Sequence, residues 1–249
     1  MKQLITAILL FCCALTASAD VTPWAWEGKL GANISFRLEV EESTFGTLIG
    51  QTTYFRRNGK TSVIPCYGRR IEYDDDENIV FILDEYDGTK QCGHFYIDLC
   101  EGKIVEGTWS LLDKTYEMER MVDLEPVPGT EYLYRPISSI DEACGEYTFT
   151  YASGNPYMPE YGGSCTITKT GPNTIHWSMG QVAPNIAEAE GDSELHGAYF
   201  EGHFGEFTFE AYVDRRFIFV KNTNDGPIQM DDWGAHSTIA GIYVREMKK

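Results

Sequence analysis

Four of the five histidines in this chain, His176, His196, His203 and His236, fall within 61 residues of its C-terminal half, and only His94 stands apart. Imidazoles gathered in one region point first to zinc, which takes three or four protein ligands at about 2.0–2.3 Å. Such centres are marked by His-x-x-x-His or Cys-x-x-Cys spacing, and neither occurs here. The histidines therefore read as strand and surface residues, and Cys92-Gly93-His94 with Cys100 reads as strand and turn. The acidic run Asp74-Asp75-Asp76-Glu77 offers the oxygen ligands that calcium prefers, but it lacks the glycine-containing ligand pattern of an EF-hand loop and reads as a charged turn. Asn224-Asp225-Gly226 and Asp231-Asp232 read as loops.

Two carboxylates about 5–10 Å apart can hydrolyse a glycoside. With 38 acidic residues, chance pairs are unavoidable, and no Gly-x-Ser-x-Gly elbow, phosphate loop or dinucleotide fingerprint selects a nucleophile. The expectation is a protein that is not an enzyme, with no catalytic residue, no metal and no cofactor. A carboxylate-dependent hydrolase and a structural accessory of the cell envelope are the alternatives.

Binding is the remaining class. Aromatic residues make up 13% of the chain, and Trp24, Trp26, Tyr157, Tyr161, Trp177, Tyr199, Phe200 and Trp233 are placed where the mouth of a barrel would expose them. Loops carry function more often than strands, so the candidate ligand-binding residues are Trp177, Asn185, Glu188 and Trp233. The formal charge is −18, or −19 without Lys2, divided as about −10 before Gly129 and −9 after it. A field of that sign repels nucleic acid and anionic lipid and favours a cationic protein or peptide, for example a basic lysozyme. A small apolar compound in a barrel mouth is the other candidate ligand.

The elements that would position these residues alternate in hydropathy. In residues 33–40, Ile34, Phe36, Leu38 and Val40 share one face of a strand and Asn33, Ser35, Arg37 and Glu39 the other. The same beat predicts strands over 24–30, 33–40, 46–54, 61–67, 78–84, 91–98, 103–110 and 115–124. A second set is predicted over 145–151, 163–169, 173–179, 194–200, 205–213, 216–221, 227–231 and 237–245. Short Gly, Asn and Asp turns between them make successive strands neighbours, and eight up-and-down strands remove their edges by closing. Residues 182–190, rich in Ala and Glu and followed by Gly191, read as a single helical turn; 137–144 reads as a second short helix capped by Ser138 or Ser139 and ended by Gly145.

The fold class is thus all-β, two tandem antiparallel up-and-down meander barrels with one or two short helices. Lys2, the apolar run Leu4 to Leu15 and Ala17-Ser18-Ala19 have the layout of a signal peptide over 1–19, giving a secreted or periplasmic protein cleaved near Ala19. An N-terminal domain over 20–126, a linker over 127–136 built on Pro126, Pro128 and Pro136, and a C-terminal domain over 137–249 follow, with no transmembrane segment.

Trp26-x-Gly28, Gly50-x-x-x-Tyr54, Leu83-x-Glu85, Gly93-x-Phe95 and Gly107-Thr108-Trp109 resemble the landmarks of small secreted bacterial β domains of avidin-like or lipocalin-like (calycin-type) shape. The second half, with Gly162-Gly163, the stretch Pro184 to Glu188, Trp233-Gly234 and Gly241-x-Tyr243, is similar to bacterial modules sharing those features. The resemblance implies shape and no activity. Five cysteines follow the signal, an odd number, so at least one is unpaired within the chain. The meander sets Cys144 and Cys165 too far apart to bridge, and a bridge between Cys66 and Cys100 would need a loop to bring them together and is not expected.

Overall fold

The computed structural model describes residues 22–42, 46–72, 78–125, 136–155, 158–182, 186–205, 207–222 and 239–245. Its first eight strands are β1 (Thr22–Leu30), β2 (Ile34–Glu42), β3 (Thr47–Phe55), β4 (Thr61–Glu72), β5 (Asn78–Asp87), β6 (Lys90–Cys100), β7 (Lys103–Leu111) and β8 (Lys114–Asp123). Each pairs antiparallel with the next, and β8 returns to β1, which closes an eight-stranded barrel. The period-two pattern does the work: Phe36, Leu38 and Val40 of β2 point inward beside Trp26, Leu30, Phe81, Phe95, Ile97 and Leu99. At one end Trp24 stacks on Trp26 at 5.8 Å and meets Phe81 edge-on at 5.5 Å, an arrangement that adds to the roughly 1.5–3 kcal/mol from burying each large apolar side chain.

The expected strands of this half lie within three residues of the observed ones, except that β4 continues to Glu72. Gly68-Arg69-Arg70 has the look of a turn. It stays extended because the ladder to β5 runs on from Gly68↔Leu83 to Glu72↔Ile79, with Arg70 reaching Glu42 and Glu72, each at 2.8 Å. One of the short Gly and Asn turns expected between strands is Arg57-Asn58-Gly59-Lys60, where Gly59 has φ +77° and the Asn58 side chain accepts from the Lys60 N–H at 3.1 Å.

The second half begins with α1 (Ile140–Ala143), followed by β9 (Gly145–Asn155), β10 (Met158–Lys169), β11 (Thr174–Val182), β12 (Ile186–Glu194), β13 (Tyr199–Phe204), β14 (Phe207–Val213), β15 (Phe217–Asn222) and β16 (Gly241–Val244). Ser139 occupies the cap position of α1 without a side-chain bond; the Glu142 carboxylate instead accepts from the Ser138 N–H and hydroxyl. The Arg245 guanidinium closes the other end, donating to the carbonyls of Glu142 at 2.8 Å and of Ala143 and Cys144 at 3.2 Å.

Two expectations for this half need correction. Of the helical turn expected over 182–190, Val182 ends β11, 183–185 lie outside the described residues, and 186–190 belong to strand β12, because Ala187, Ala189 and Ser193 face the core while Ile186, Glu188, Glu190, Asp192 and Glu194 face out, a period of two rather than 3.6. A strand expected over 194–200 is displaced to β13, since 195–198 form the turn between β12 and β13. Those over 227–231 and the linker, apart from Pro136, lie outside the described residues. The sheet order is β12-β11-β10-β9-β16-β15-β14-β13, and among the described residues no ladder joins β12 to β13. The N-terminal set is thus a closed barrel, while among the described residues the second set has a seam between β12 and β13 that the 195–198 turn bridges without a ladder.

The two sets pack against each other. Lys90 on β6 pairs with Thr150 on β9 in parallel, and Ile49, Tyr67 and Tyr86 from the outer wall of the barrel join the C-terminal core. The Tyr67 ring lies 4.6 Å from Phe217, and burial, opposed in part by Arg216, pushes its phenol up to about 12. No helix among the described residues is long and apolar enough to cross a membrane.

Candidate functional site

Between β12 and β13 lies a cavity of ≈ 370 Å³ lined by Asp192, Ser193, Glu194 and His196 on one side and Tyr199, Glu201 and His203 on the other. The local sequence explains why the strands part here. Ser193 Oγ donates to the Glu201 carbonyl at 2.6 Å and accepts from Trp177 Nε1 at 2.9 Å, so a side chain takes the place of a ladder bond. Below the seam, Trp177 and Phe209 meet edge-on at 4.8 Å. Gly191 and Gly202 make room for them: a Cβ at 191 would lie 2.7 Å from the Trp177 ring and one at 202 only 2.0 Å from Phe209. Aromatic rings seal the core where backbone pairing does not.

The seam is acidic. Asp192, Glu194 and Glu201 line it, and neither Lys nor Arg does. Like charges facing each other across two strands oppose pairing, which is a second reason for the separation. Tyr199 donates to Glu201 at 3.2 Å, and burial followed by the charges of Glu210 and Glu201 keeps its phenol protonated. His176 contacts Asp192 at 3.1 Å and His196 stands 4.0 Å from Glu194. No group of three His, Cys, Asp or Glu side chains among the described residues is placed to hold a metal ion.

A second cluster sits inside the closed barrel. Glu85 is 1% exposed and takes the Tyr54 hydroxyl at 2.9 Å and Trp109 Nε1–H at 2.8 Å. Thr52 stands near enough to favour its charged form but falls short of a full hydrogen bond. Register brings the parts together: Gly50, Cys66, Glu85 and Gly93 are successive cross-strand partners over β3 to β6. Burial pushes the Glu85 carboxyl up, against the hydrogen bonds that pull it down. Burial and the Glu85 charge push the Cys66 thiol up, and the Cys92 thiol goes to about 11 for the same two causes, so neither is a poised nucleophile. Protein donors occupy the carboxylate, which makes the cluster a brace of the barrel wall. All five cysteines are free thiols.

On the outer face, Asp84, His94 and Ser110 are cross-strand neighbours on β5, β6 and β7. His94 Nδ1 is 2.7 Å from Asp84 Oδ1, to which Gln91 also donates. No hydrogen bond joins Ser110 to His94 among the described residues, so the row is a dyad beside a serine.

Of the residues singled out from the sequence, Trp177 is buried beneath the seam and Glu188 is exposed on β12, away from the Trp177 ring. Asn185 and Trp233 lie outside the described residues, as does Tyr157. Trp26 and Phe200 are fully buried. Sequence reasoning missed Asp192, Glu194 and Glu201; the signal for the first two was the alternation of acids that begins at Glu188, inside the stretch read as a helical turn, and runs on past it to Glu194. It also quoted Tyr54, Glu85, Gly93 and Trp109 as marks of shape without seeing that they meet. No protein-family model, no curated protein and no solved structure matches this chain.

Proposed function

We propose that this chain is a non-enzymatic binding module, exported after removal of its leader, that holds a cationic protein or peptide at the β12–β13 seam. The observation that carries this reading is a cavity between two unladdered strands, lined by three carboxylates and no fixed positive charge. The net charge of −18 supplies long-range attraction of the same sign. The closed barrel supports an avidin-like or lipocalin-like reading of the first half, but Trp26, Phe36, Phe81 and Phe95 fill its interior, which favours a surface partner over a small apolar ligand. The test is fluorescence anisotropy of a labelled lysine-rich peptide against the full chain and a D192N/E194Q/E201Q variant. Three partly exposed charges worth about 0.2–1 kcal/mol each predict a loss of about tenfold, and weaker binding as salt rises. Equal affinity of both proteins refutes the site.

The Asp84–His94 contact favours a second reading, a hydrolase in which His94 takes a proton from Ser110. Turnover of p-nitrophenyl acetate that S110A and H94A both abolish would support it; turnover unchanged in both removes it.

A further inference from the structure

We propose that the end of the closed barrel carrying the hairpin tips 31–33, 56–60 and 112–114 seats on an anionic lipid bilayer. This surface lies on the other half of the chain from the β12–β13 seam and does not depend on it. An up-and-down barrel sends alternate connections to one end, and two contacts tie three of them together here: Arg57 Nη2 donates to Asn33 Oδ1 at 3.4 Å, and the Gly31 N–H donates to the Glu117 carbonyl at 2.9 Å. The fourth connection, between β5 and β6, is taken up by β9 through Thr89 and Lys90. Apolar side chains stand exposed at this end. Leu112 is 59% exposed, Phe55 39% and Ile34 37%. Leu112 also has φ +55°, in the left-handed region that leucine seldom adopts. Exposure and strain thus fall on one residue, and burial of its side chain outside the chain offsets both.

Cations collar these tips. Arg56, Arg57, Lys60 and Lys114 are all exposed, and Asp113 is the one carboxylate within the three described tips. At the other end of the barrel stand Glu41, Glu42, Glu72, Glu101 and Asp123, with Arg70 and Lys103. Nine-residue strands such as β2, tilted as in small barrels, hold the two ends about 20–25 Å apart, at least two screening lengths at 0.1 M salt. The net charge of −18 therefore opposes approach to an anionic surface from afar, whereas at contact the basic tips decide. The layout selects the occupant. The β3–β4 and β7–β8 tips stand on opposite sides of the eight-strand ring, so Phe55 and Leu112 are too far apart to make the continuous packed core of a protein interface. A flat bilayer takes both at once: the apolar tips enter the boundary between headgroups and acyl chains, and the cations behind them meet lipid phosphates.

The test is flotation with vesicles of about three parts phosphatidylcholine to one part phosphatidylglycerol, using the chain freed of residues 1–19, whose apolar run would bind lipid by itself. Binding to these vesicles and not to pure phosphatidylcholine, weakening as salt rises, is the expected result. The R56Q/R57Q/K60Q variant should bind about a hundredfold more weakly, at about fivefold for each cation. Leu112→Gly should weaken binding about fivefold to tenfold. Its thermal stability should hold or rise, because glycine suits the positive φ, so unfolding does not account for the loss. Val105→Ser changes an exposed apolar residue near the opposite end and should bind as the parent does. D192N/E194Q/E201Q should also keep full binding, which separates this surface from the seam. No flotation with the anionic vesicles, equal flotation with pure phosphatidylcholine, or equal losses in V105S and L112G overturns the proposal. Self-association of the free protein in place of vesicle binding, abolished by either triple variant, overturns it in favour of the basic tips docking on the acidic seam of a second copy.

Discussion

Replacing Gly93 by Ala tests whether the Glu85 cluster braces the closed barrel. A Cβ at position 93 would lie 2.3 Å from Glu85 Oε2 and 2.4 Å from Trp109 Nε1, well inside the roughly 3.3–3.6 Å of a close carbon–oxygen contact. The Glu85–Trp109 bond, now 2.8 Å, has to open by about 1 Å. Loss of a charge-assisted bond costs about 1.5–3 kcal/mol and overpacking about 1–3 kcal/mol, against about 0.5–1 kcal/mol gained by replacing glycine in a strand. The net expectation is a destabilisation of about 2–5 kcal/mol, read from urea unfolding followed by tryptophan fluorescence. Gly180→Ala is the control: its nearest neighbours would be 3.8 Å away, so stability should hold or rise by about 0.5 kcal/mol. The E85A/G93A double variant should be less damaged than the sum of its single changes, because removing the carboxylate removes half of the clash. A G93A protein as stable as the parent, or strict additivity in the double variant, refutes the argument.

Two further outcomes follow from the same contacts. Burial holds the Glu85 carboxyl above its ordinary value, so the folded state takes up a proton before the unfolded state as pH falls; Glu85 adds stability between the folded and unfolded pKa values on acidification and withdraws it as pH rises. E85Q should remove that slope, seen as a stability difference between variant and parent that changes across the acidic range; a pH-independent difference would count against a buried titrating group. Arg245→Met should cost about 2–4 kcal/mol by unpairing the α1 carbonyls and removing the guanidinium from 4.4 Å over the Tyr147 ring, checked by thermal unfolding, with no loss as the contrary result.

Periodicity made the closed barrel legible because β2, β5 and β6 each bury every second residue without a break in their central parts, and Gly59 marks a turn that no other residue type fits as well. It failed at β12, where Ala and Glu are good helix formers whose intrinsic preference outweighed a clear alternation. The preference lost because the core above Trp177 has room only for small side chains, and a strand delivers Ala187, Ala189, Gly191 and Ser193 to one face. The Glu85 cluster could not be read from the chain, since Tyr54 and Trp109 are 31 and 24 residues from the acid they bind and cross-strand register is a property of the assembled sheet. Shared packing between the halves was invisible for a related reason: Tyr67 and Tyr86 sit on the outward face of their strands, where a sequence reading expects water.

The last strand, β16, pairs with both β15 and β9 and so ties together parts of the chain made at different times. The N-terminal barrel has every strand it needs once residue 123 has emerged during synthesis, whereas the C-terminal sheet begins at its middle, on β9, and waits for β16, made last, to link β9 to β15. Until then, among the described residues, β9 to β12 and β13 to β15 are connected through the turn over 195–198 alone, and the finished barrel, with Ile49, Tyr67 and Tyr86 on its flank, offers a completed surface on which they can gather.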